Sequence, residues 1–138
     1  MNPEEITAGA DRPYWAGLQA GRALLPKCAS CEKWHWPAVF RCPECGSWEH
    51  VWEEVALSGK VYSWTRTFHP FAGAEAFPPP FVSLVVELDS AGGIRLIGTL
   101  EGGDGDIAID DPVSGTIGTI PFSGDDYPAL FWSKGAVG

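Results

Sequence analysis

Four cysteines in two closely spaced pairs constrain the fold of this chain more than any other feature. Cys28, Cys31, Cys42 and Cys45 follow the spacing C-x2-C-x10-C-x2-C. Each C-x2-C pair forms a tight turn that directs two sulfur atoms at one point, and the intervening segment is long enough for a small hairpin that returns the second pair to the first. Four thiolates complete the tetrahedral coordination of Zn²⁺ and leave no position for water or substrate. The spacing therefore predicts a structural zinc site.

Two redox interpretations of the same cysteines compete with zinc. The segment CPECG, residues 42–46, also occurs in iron-binding turns of the rubredoxin type, so iron is the alternative metal and a rubredoxin-like electron carrier is the alternative function. A thioredoxin-like dithiol would require one pair at the start of a helix in a β-α-β unit. Two tandem pairs without that setting argue against the dithiol.

The charge of the chain disfavours nucleic acid and membranes as partners. The 138 residues carry 9 Lys+Arg against 18 Asp+Glu, a formal net charge of −9. Nucleic acid is bound largely by neutralising phosphates, so a nucleic-acid-binding zinc-ribbon and OB module is the weaker alternative. The start of the chain is acidic and lacks the apolar region of a signal peptide, and no apolar run is long enough to span a membrane. We therefore expect a cytoplasmic protein.

After the cysteines, the hydrophobic pattern changes to the alternation typical of β-strands. The predicted strands cover residues 60–68, 81–88, 93–100, 113–120 and 129–132. The turn DSAGG joins the second and third of these as a hairpin, and Gly98 lies where a bulge or bend would help close a barrel. Short strands without intervening helices favour a five-stranded OB-fold barrel. The fold class is therefore mainly β, with the metal-binding cysteine module before the barrel.

A short helix is predicted ahead of the cysteines, with Asp11 as its N-cap. Its bulky residues recur at helical spacing, and Gly21 and Pro26 limit its length. They are Tyr14, Trp15, Leu18, Arg22 and Leu25. This helix can pack on the domain or dock on a partner. The predicted division is therefore an N-terminal tail and docking helix (1–26), a zinc ribbon (27–50) and an OB-fold domain with a C-terminal tail (51–138).

The chain lacks the motifs of a self-sufficient enzyme. It contains no GxSxG, P-loop or GxGxxG motif, and none of His35, His50 and His69 is obviously paired with a carboxylate. His35, between two tryptophans, is expected to pack in the ribbon hairpin. The long proline-rich segment 69–80 predicts a functional or mobile loop. These features favour interaction over catalysis.

The order of these features resembles the DUF35 family. The resemblance rests on YWAGLQAGRALLPKC, CASC, WPAVFRCPECGS, GKVYSWTRTFHP, PPPFVSLVVELD and RLIGTLEG, and it runs from about residue 11 to about residue 122. It implies a rubredoxin-like zinc ribbon joined to an OB-fold, with the four cysteines as zinc ligands and the N-terminal helix as a docking element. One departure is IDDPV, residues 109–113, whose two carboxylates would repel a CoA phosphate.

The resemblance also implies a function and a partner. It indicates a non-catalytic accessory subunit that binds a thiolase-like enzyme in a hetero-oligomer, with acyl-CoA at or near the interface. The chemistry would be thiolase chemistry, acyl transfer or retro-aldol cleavage of acyl-CoA thioesters, including steroid side chains. The candidate partner contacts are Tyr14, Trp15, Leu18, Trp34, Trp36, Phe71 and Phe77. The candidate cations for CoA phosphates are Arg22, Lys27, Lys33 and Arg41.

Overall fold

The computed structural model describes residues 9–135 and shows a zinc-ribbon segment followed by a barrel. The first residues of the predicted N-terminal tail, 1–8, and the last of the predicted C-terminal tail, 136–138, lie outside the described residues. Within the described range the elements are helix α1 (Arg12–Gln19) and strands β1 (Leu24–Cys28), β2 (His50–Glu54), β3 (Ser58–Thr67), β4 (Phe81–Leu88), β5 (Arg95–Leu100), β6 (Pro112–Phe122) and β7 (Asp125–Lys134), with a short 3-10 turn at Ala91–Gly93.

Five strands close into a barrel in the order β3-β4-β5-β7-β6, with β6 returning to β3. Every neighbouring pair is antiparallel except β5 and β7, which run parallel. Closure gives each of the five strands a neighbour on both sides and so removes the exposed edges of an open sheet. The predicted mainly β architecture and OB-like barrel are confirmed. The five predicted strands correspond to β3–β7, and β7 is longer than its sequence pattern indicated.

The barrel interior is filled by alternate residues of its strands. On β4, Val82, Leu84 and Val86 are fully buried, and the residues between them are only half-buried. Trp132 of β7 is also 0% exposed and is the largest of the fully buried side chains. Each such side chain contributes about 1.5–3 kcal/mol by leaving water, so burial of this cluster is a large favourable contribution to the barrel's stability.

Gly98 has a different role from the one that its sequence position suggested. The β4–β5 ladder is regular through Leu84↔Gly98, and the irregularity in register lies in β3, between Val61 and Ser63. The predicted bulge at Gly98 is therefore wrong. A β-carbon at Gly98 would lie 2.5 Å from Nε1 of Trp132, so glycine is required there because the buried indole packs directly against the strand.

The N-terminal helix is shorter than its apolar spacing indicated. Helix α1 ends at Gln19, and Gly21 adopts φ 78°, which turns the chain into β1. Arg22 and Leu25 therefore lie beyond the helix, and their assignment to it is wrong. Asp11 occupies the N-cap position, but its carboxylate accepts a hydrogen bond from Trp15 Nε1 at 3.0 Å instead of capping the backbone.

Strands β1 and β2 form a separate two-stranded antiparallel sheet, which the sequence pattern did not reveal. Pro26 fits in the middle of β1 because the backbone at this position faces away from β2. Its missing N–H therefore removes no hydrogen bond from the β1–β2 ladder. Instead, its carbonyl accepts from His35 N at 3.1 Å on the other side. The ladder extends to Glu54, past the predicted ribbon boundary at residue 50, and the division into domains stays a prediction.

Candidate metal centre and partner surface

The four cysteine sulfurs converge at one end of the β1–β2 sheet. All four Sγ atoms lie within 4.8 Å of one another, with 3.5 Å between Cys28 and Cys45 and 3.7 Å between Cys31 and Cys42. A tetrahedral zinc ion with Zn–S bonds of about 2.3 Å requires sulfurs about 3.8 Å apart. The cluster therefore fits a zinc ion held by all four cysteines, as the spacing predicted.

Two turns of the same design hold the four sulfurs. In the first, Glu32 N donates to Cys28 O at 3.0 Å, and in the second, Gly46 N donates to Cys42 O at 2.9 Å. The residue after each C-x2-C pair has a positive φ, 63° at Glu32 and 80° at Gly46. Glycine adopts this conformation without strain, and Glu32 is a bulkier residue in the same left-handed region. The repeated geometry explains why two short, unrelated segments direct their sulfurs to a common point.

The backbone around the cysteines favours thiolates at two of the four positions. A hydrogen bond from the Cys31 backbone lowers the pKa of Cys28 to about 6, and one from the Cys45 backbone lowers the pKa of Cys42. The hydrogen bond from the Lys33 backbone lowers the pKa of Cys31, but desolvation and the three neighbouring sulfurs together outweigh it and raise this pKa to about 12. A divalent cation removes this competition by stabilising every thiolate at once.

A histidine outside the ligand set contacts the metal cluster. His35 Nε2 lies 3.3 Å from Cys42 Sγ, so an Nε2–H tautomer donates a hydrogen bond to that sulfur. Burial, followed by the neighbouring His50, lowers the pKa of His35 and favours the neutral ring. This contact was missed by the sequence analysis, which expected His35 only in hairpin packing, because a residue seven positions before a cysteine carries no local signal of contact.

The four predicted phosphate-binding cations differ in their surroundings. Arg22 pairs with Glu54 at 3.3 Å, and Lys33 pairs with Glu44 at 3.4 Å. Lys27 and Arg41 instead lie over tryptophan rings, at 5.6 Å and 6.0 Å from the ring centroids. Neither of these two cations makes an ion pair with a carboxylate among the described residues. Phosphate binding by any of the four stays a prediction, and Lys27 and Arg41 are the better placed.

The turn at IDDPV is less repulsive to anions than its two carboxylates suggested. Asp110 lies 4.0 Å from Lys60, and Asp111 lies 3.5 Å from Lys134. The Asp111 carboxylate also accepts from Ala108 N at 2.9 Å. Lysines of β3 and β7 therefore lie beside both carboxylates and offset part of their negative charge.

Five of the predicted partner contacts lie on α1 and in the ribbon, where they form one cluster that joins the two. The ring of Tyr14 lies 4.4 Å from that of Trp36 and 5.1 Å from that of Trp15. Tyr14 and Leu18 are 5% and 3% exposed, so they contact this chain's own core. Trp15, Trp34 and Trp36 are half-buried against the same core. Contact of these five residues with a partner stays a prediction.

The proline-rich loop places its phenylalanines on the barrel. Phe71 and Phe77 lie 6.3 Å and 5.4 Å from Phe81, measured between ring centroids. Phe71 is 58% exposed and free for a partner, whereas Phe77 is half-buried and lines a cavity of about 320 Å³. Leu100 and Phe131 line the same cavity from the barrel side.

The most exposed tryptophan lies on the ribbon and was missed by the sequence analysis. Trp48 is 68% exposed, and the nearby Phe40 and Val51 are 61% and 48% exposed. Arg41 lies over the Trp48 ring. Exposed aromatic rings beside arginine are typical anchors of protein interfaces. The sequence alone gave no reason to prefer Trp48 over Trp34 or Trp36, because burial depends on how the ribbon folds back on itself.

Family models match both parts of the chain. The ChsH2 rubredoxin-like zinc ribbon domain matches residues 15–50, and the ChsH2 C-terminal OB-fold domain matches residues 52–117. A solved structure of the Ltp2-ChsH2(DUF35) aldolase superimposes with a TM-score of 0.78 at 27% identity, covering 93% of this chain and 95% of that chain. The benzoylsuccinyl-CoA thiolase subunit BbsA of Thauera aromatica is 30% identical over 134 residues, which cover 94% of this chain and 83% of BbsA. The chain belongs to the DUF35 family.

Two further comparisons differ in how much of the relative they cover. A DUF35 protein of unknown function from Sulfolobus solfataricus has the same fold, with a TM-score of 0.63 at 16% identity over 96% of this chain and 90% of that one. A probable enoyl-CoA hydratase alpha subunit of Thermomonospora curvata is 34% identical over 93 residues. The match covers 67% of this chain but only 28% of that relative's length. The zinc ribbon of this DUF35 chain, with its four adjacent cysteines, is able to bind a zinc ion.

The described residues contain no second metal cluster and no membrane helix. The four cysteines are the only group of three or more metal-ligating side chains that converge within residues 9–135. In the same range, no helix combines the length and hydrophobicity required to cross a bilayer.

Proposed function

We propose that this DUF35 chain is a non-catalytic subunit that binds and supports a thiolase-like enzyme acting on acyl-CoA thioesters. The observation that carries this proposal is the likeness to the thiolase subunit BbsA along 94% of the chain. The match to the Ltp2-ChsH2(DUF35) aldolase, in both ribbon and barrel, supports it. The partner's reaction would be thiolysis, acyl transfer or retro-aldol cleavage, including cleavage of steroid side chains.

The chemistry of the described residues supports a partner role without catalysis. Cys42 is the only nucleophile that hydrogen-bonds a histidine side chain within residues 9–135. As one of four ligands of a closed zinc site, it holds the ribbon together and is not available to attack a substrate. Ser30 donates to Ser47, and Ser58 donates to the Asp89 carboxylate at the surface; neither hydroxyl hydrogen-bonds a histidine. The partner enzyme would therefore supply the reacting groups.

The exposed aromatic residues supply a surface for that enzyme. Trp48, Phe40 and Phe71 are each more than half exposed, and large apolar side chains in such positions favour an interface. Lys27 and Arg41, which lack carboxylate partners among the described residues, are the cations that we assign to a CoA phosphate near this interface. A reducing cytoplasm suits the four thiols of the metal site.

The proposal is tested by capturing the partner from the native lysate with a tagged form of the chain. We expect a thiolase-fold enzyme at near-stoichiometric yield in the mass spectrum, one equivalent of zinc per chain, and no acyl-CoA turnover by the chain alone. A red, iron-loaded protein without a thiolase-fold partner would contradict the proposal and favour the rubredoxin-like electron carrier.

A further inference from the structure

Among the residues that the structure describes, the outer edge of strand β2 has backbone groups without hydrogen-bond partners. The bonds Val55 N to Ala23 O (2.9 Å) and Ala29 N to Glu49 O (3.0 Å) fix which residues of β2 hydrogen-bond to β1. By the alternation of antiparallel ladders, Val51 and Glu53 face β1. The N–H and C=O groups of His50, Trp52 and Glu54 therefore face away from β1.

Within residues 9–135, no other segment pairs with this edge. The opposite side of β1 is covered, because Cys28 N donates to Lys33 O at 2.8 Å and Trp34 bridges to Lys27. Strand β2 pairs only with β1 in the described residues, and the outward amides of His50, Trp52 and Glu54 donate no hydrogen bond there. Unlike the closed barrel, the ribbon thus exposes a strand edge that can accept another strand.

The side chains along this edge select what can pair with it. Glu49, Val51 and Glu53 point to one face of β2, and all three are exposed. The cation across the ladder from Val51 is Lys27, but its ammonium group lies over Trp34, on the far side of β1. The edge is therefore acidic around one apolar position. A second copy of the chain would bring the same glutamates together, which like-charge repulsion opposes.

We propose that the outer edge of β2 accepts an extended strand from the partner subunit, with side chains that alternate basic, apolar and basic along the Glu49–Val51–Glu53 face. This inference rests on the proposed function, since it takes the strand from the thiolase-like enzyme. Backbone hydrogen bonds to His50, Trp52 and Glu54 supply affinity, and the glutamates supply specificity. The exposed Trp48 and Phe40, beside the start of β2, anchor the same partner.

Residue-resolved amide hydrogen exchange tests the pairing directly. The chain is compared alone and in complex with the thiolase-fold enzyme recovered by the capture experiment. We expect the amides of His50, Trp52 and Glu54 to exchange at least 100-fold more slowly in the complex, while those of Val51 and Glu53 are protected in both states. A complex in which the outward amides still exchange rapidly overturns this inference and leaves the proposed function standing. Failure to form any complex overturns both.

A matched pair of variants removes only the backbone donor. Glu54→Pro deletes an outward N–H, and Glu54→Ala loses the same carboxylate and keeps the amide. Pro26 occupies an equivalent outward position in β1, so the fold tolerates this change. We expect the proline variant to bind the partner at least 30-fold more weakly than the alanine variant, with equal zinc content and melting temperature. Equal affinities overturn the inference.

Charge reversal tests the basic character of the incoming strand. Glu53→Lys should weaken partner binding at least tenfold at low salt, and added salt should reduce the difference. The control is Glu101→Lys, which makes the same charge change at an exposed barrel position. Equal effects of the two variants overturn the basic partner strand. A dimer of the isolated chain with protected outward amides shows that a second copy occupies the edge, and it overturns the inference as well.

Discussion

Replacing Gly98 with alanine tests the packing that closes the barrel. The added β-carbon would lie 2.5 Å from Trp132 Nε1 and 2.6 Å from the Leu130 carbonyl oxygen. Favourable contacts between such atoms are about 3.5–4.0 Å, so β5 and β7 would have to separate by roughly 1 Å. Neither neighbour can turn aside, because one atom is backbone and Trp132 is 0% exposed. We expect the free energy of unfolding to fall by about 3 kcal/mol, the upper end for overpacked cores.

Urea and thermal denaturation of the zinc-loaded protein measure this loss. A change of about 3 kcal/mol corresponds to a melting temperature roughly 10 °C lower in a domain of this size. Gly105→Ala is the matched control, because the nearest atom to its β-carbon is Leu100 Cδ2 at 3.3 Å, the flexible end of a side chain. Equal stability of the two variants would refute the close approach of β5 and β7 that the structure shows.

Three further predictions concern the metal, the exposed surface and pH. Cys42→Ser should abolish stoichiometric zinc binding and unfold the ribbon, because zinc binding supplies about 10–16 kcal/mol to such modules. One equivalent of zinc in the purified variant, measured by elemental analysis, would contradict this prediction. Trp48→Ala should leave the melting temperature within about 2 °C of that of the unmodified chain, since the side chain is 68% exposed. It should also weaken partner binding at least tenfold in a titration. A destabilised variant with full affinity would instead place Trp48 in the core. Hydrogen bonding from Arg66 lowers the pKa of Asp104. The ionised pair therefore stabilises the fold at pH values above the ordinary Asp pKa of about 3.9. This contribution is lost as the pH falls through the lower pKa of the folded state. Asp104→Asn should therefore melt below the unmodified chain at pH 7 and alongside it near pH 2, and a difference that grows in acid would reverse the assignment.

The metal site could be predicted from the sequence because its constraint is local. The spacing of Cys28, Cys31, Cys42 and Cys45 limits where four sulfurs can meet, and the structure brings them within 4.8 Å of one another. The barrel strands were also predictable, since alternating burial leaves a periodic pattern. The contact between His35 and Cys42 depends instead on how the ribbon folds back on itself, and the role of Gly98 depends on Trp132, which is buried across the barrel.

The exposed surface was the least predictable part of the molecule. Trp34, Trp36 and Trp48 lie within one short segment and look equivalent as sequence, but only Trp48 is largely exposed. Tyr14 and Trp36 pack together because α1 folds back on the ribbon, which no local pattern encodes. Strands β1 and β2 were missed for a related reason, since β1 contains a proline and β2 is rich in glutamate, and both features disfavour a strand by propensity.

Titration of the captured thiolase-like enzyme, freed of this subunit, with the zinc-loaded chain tests the central claim most directly. The measurement is the rate of acyl-CoA thioester consumption as a function of added chain. Our account predicts no consumption by the chain alone and a rate that rises with added chain to a plateau at a fixed stoichiometry. Turnover by the chain alone, or an enzyme rate that the chain does not change, would contradict its role as a supporting subunit.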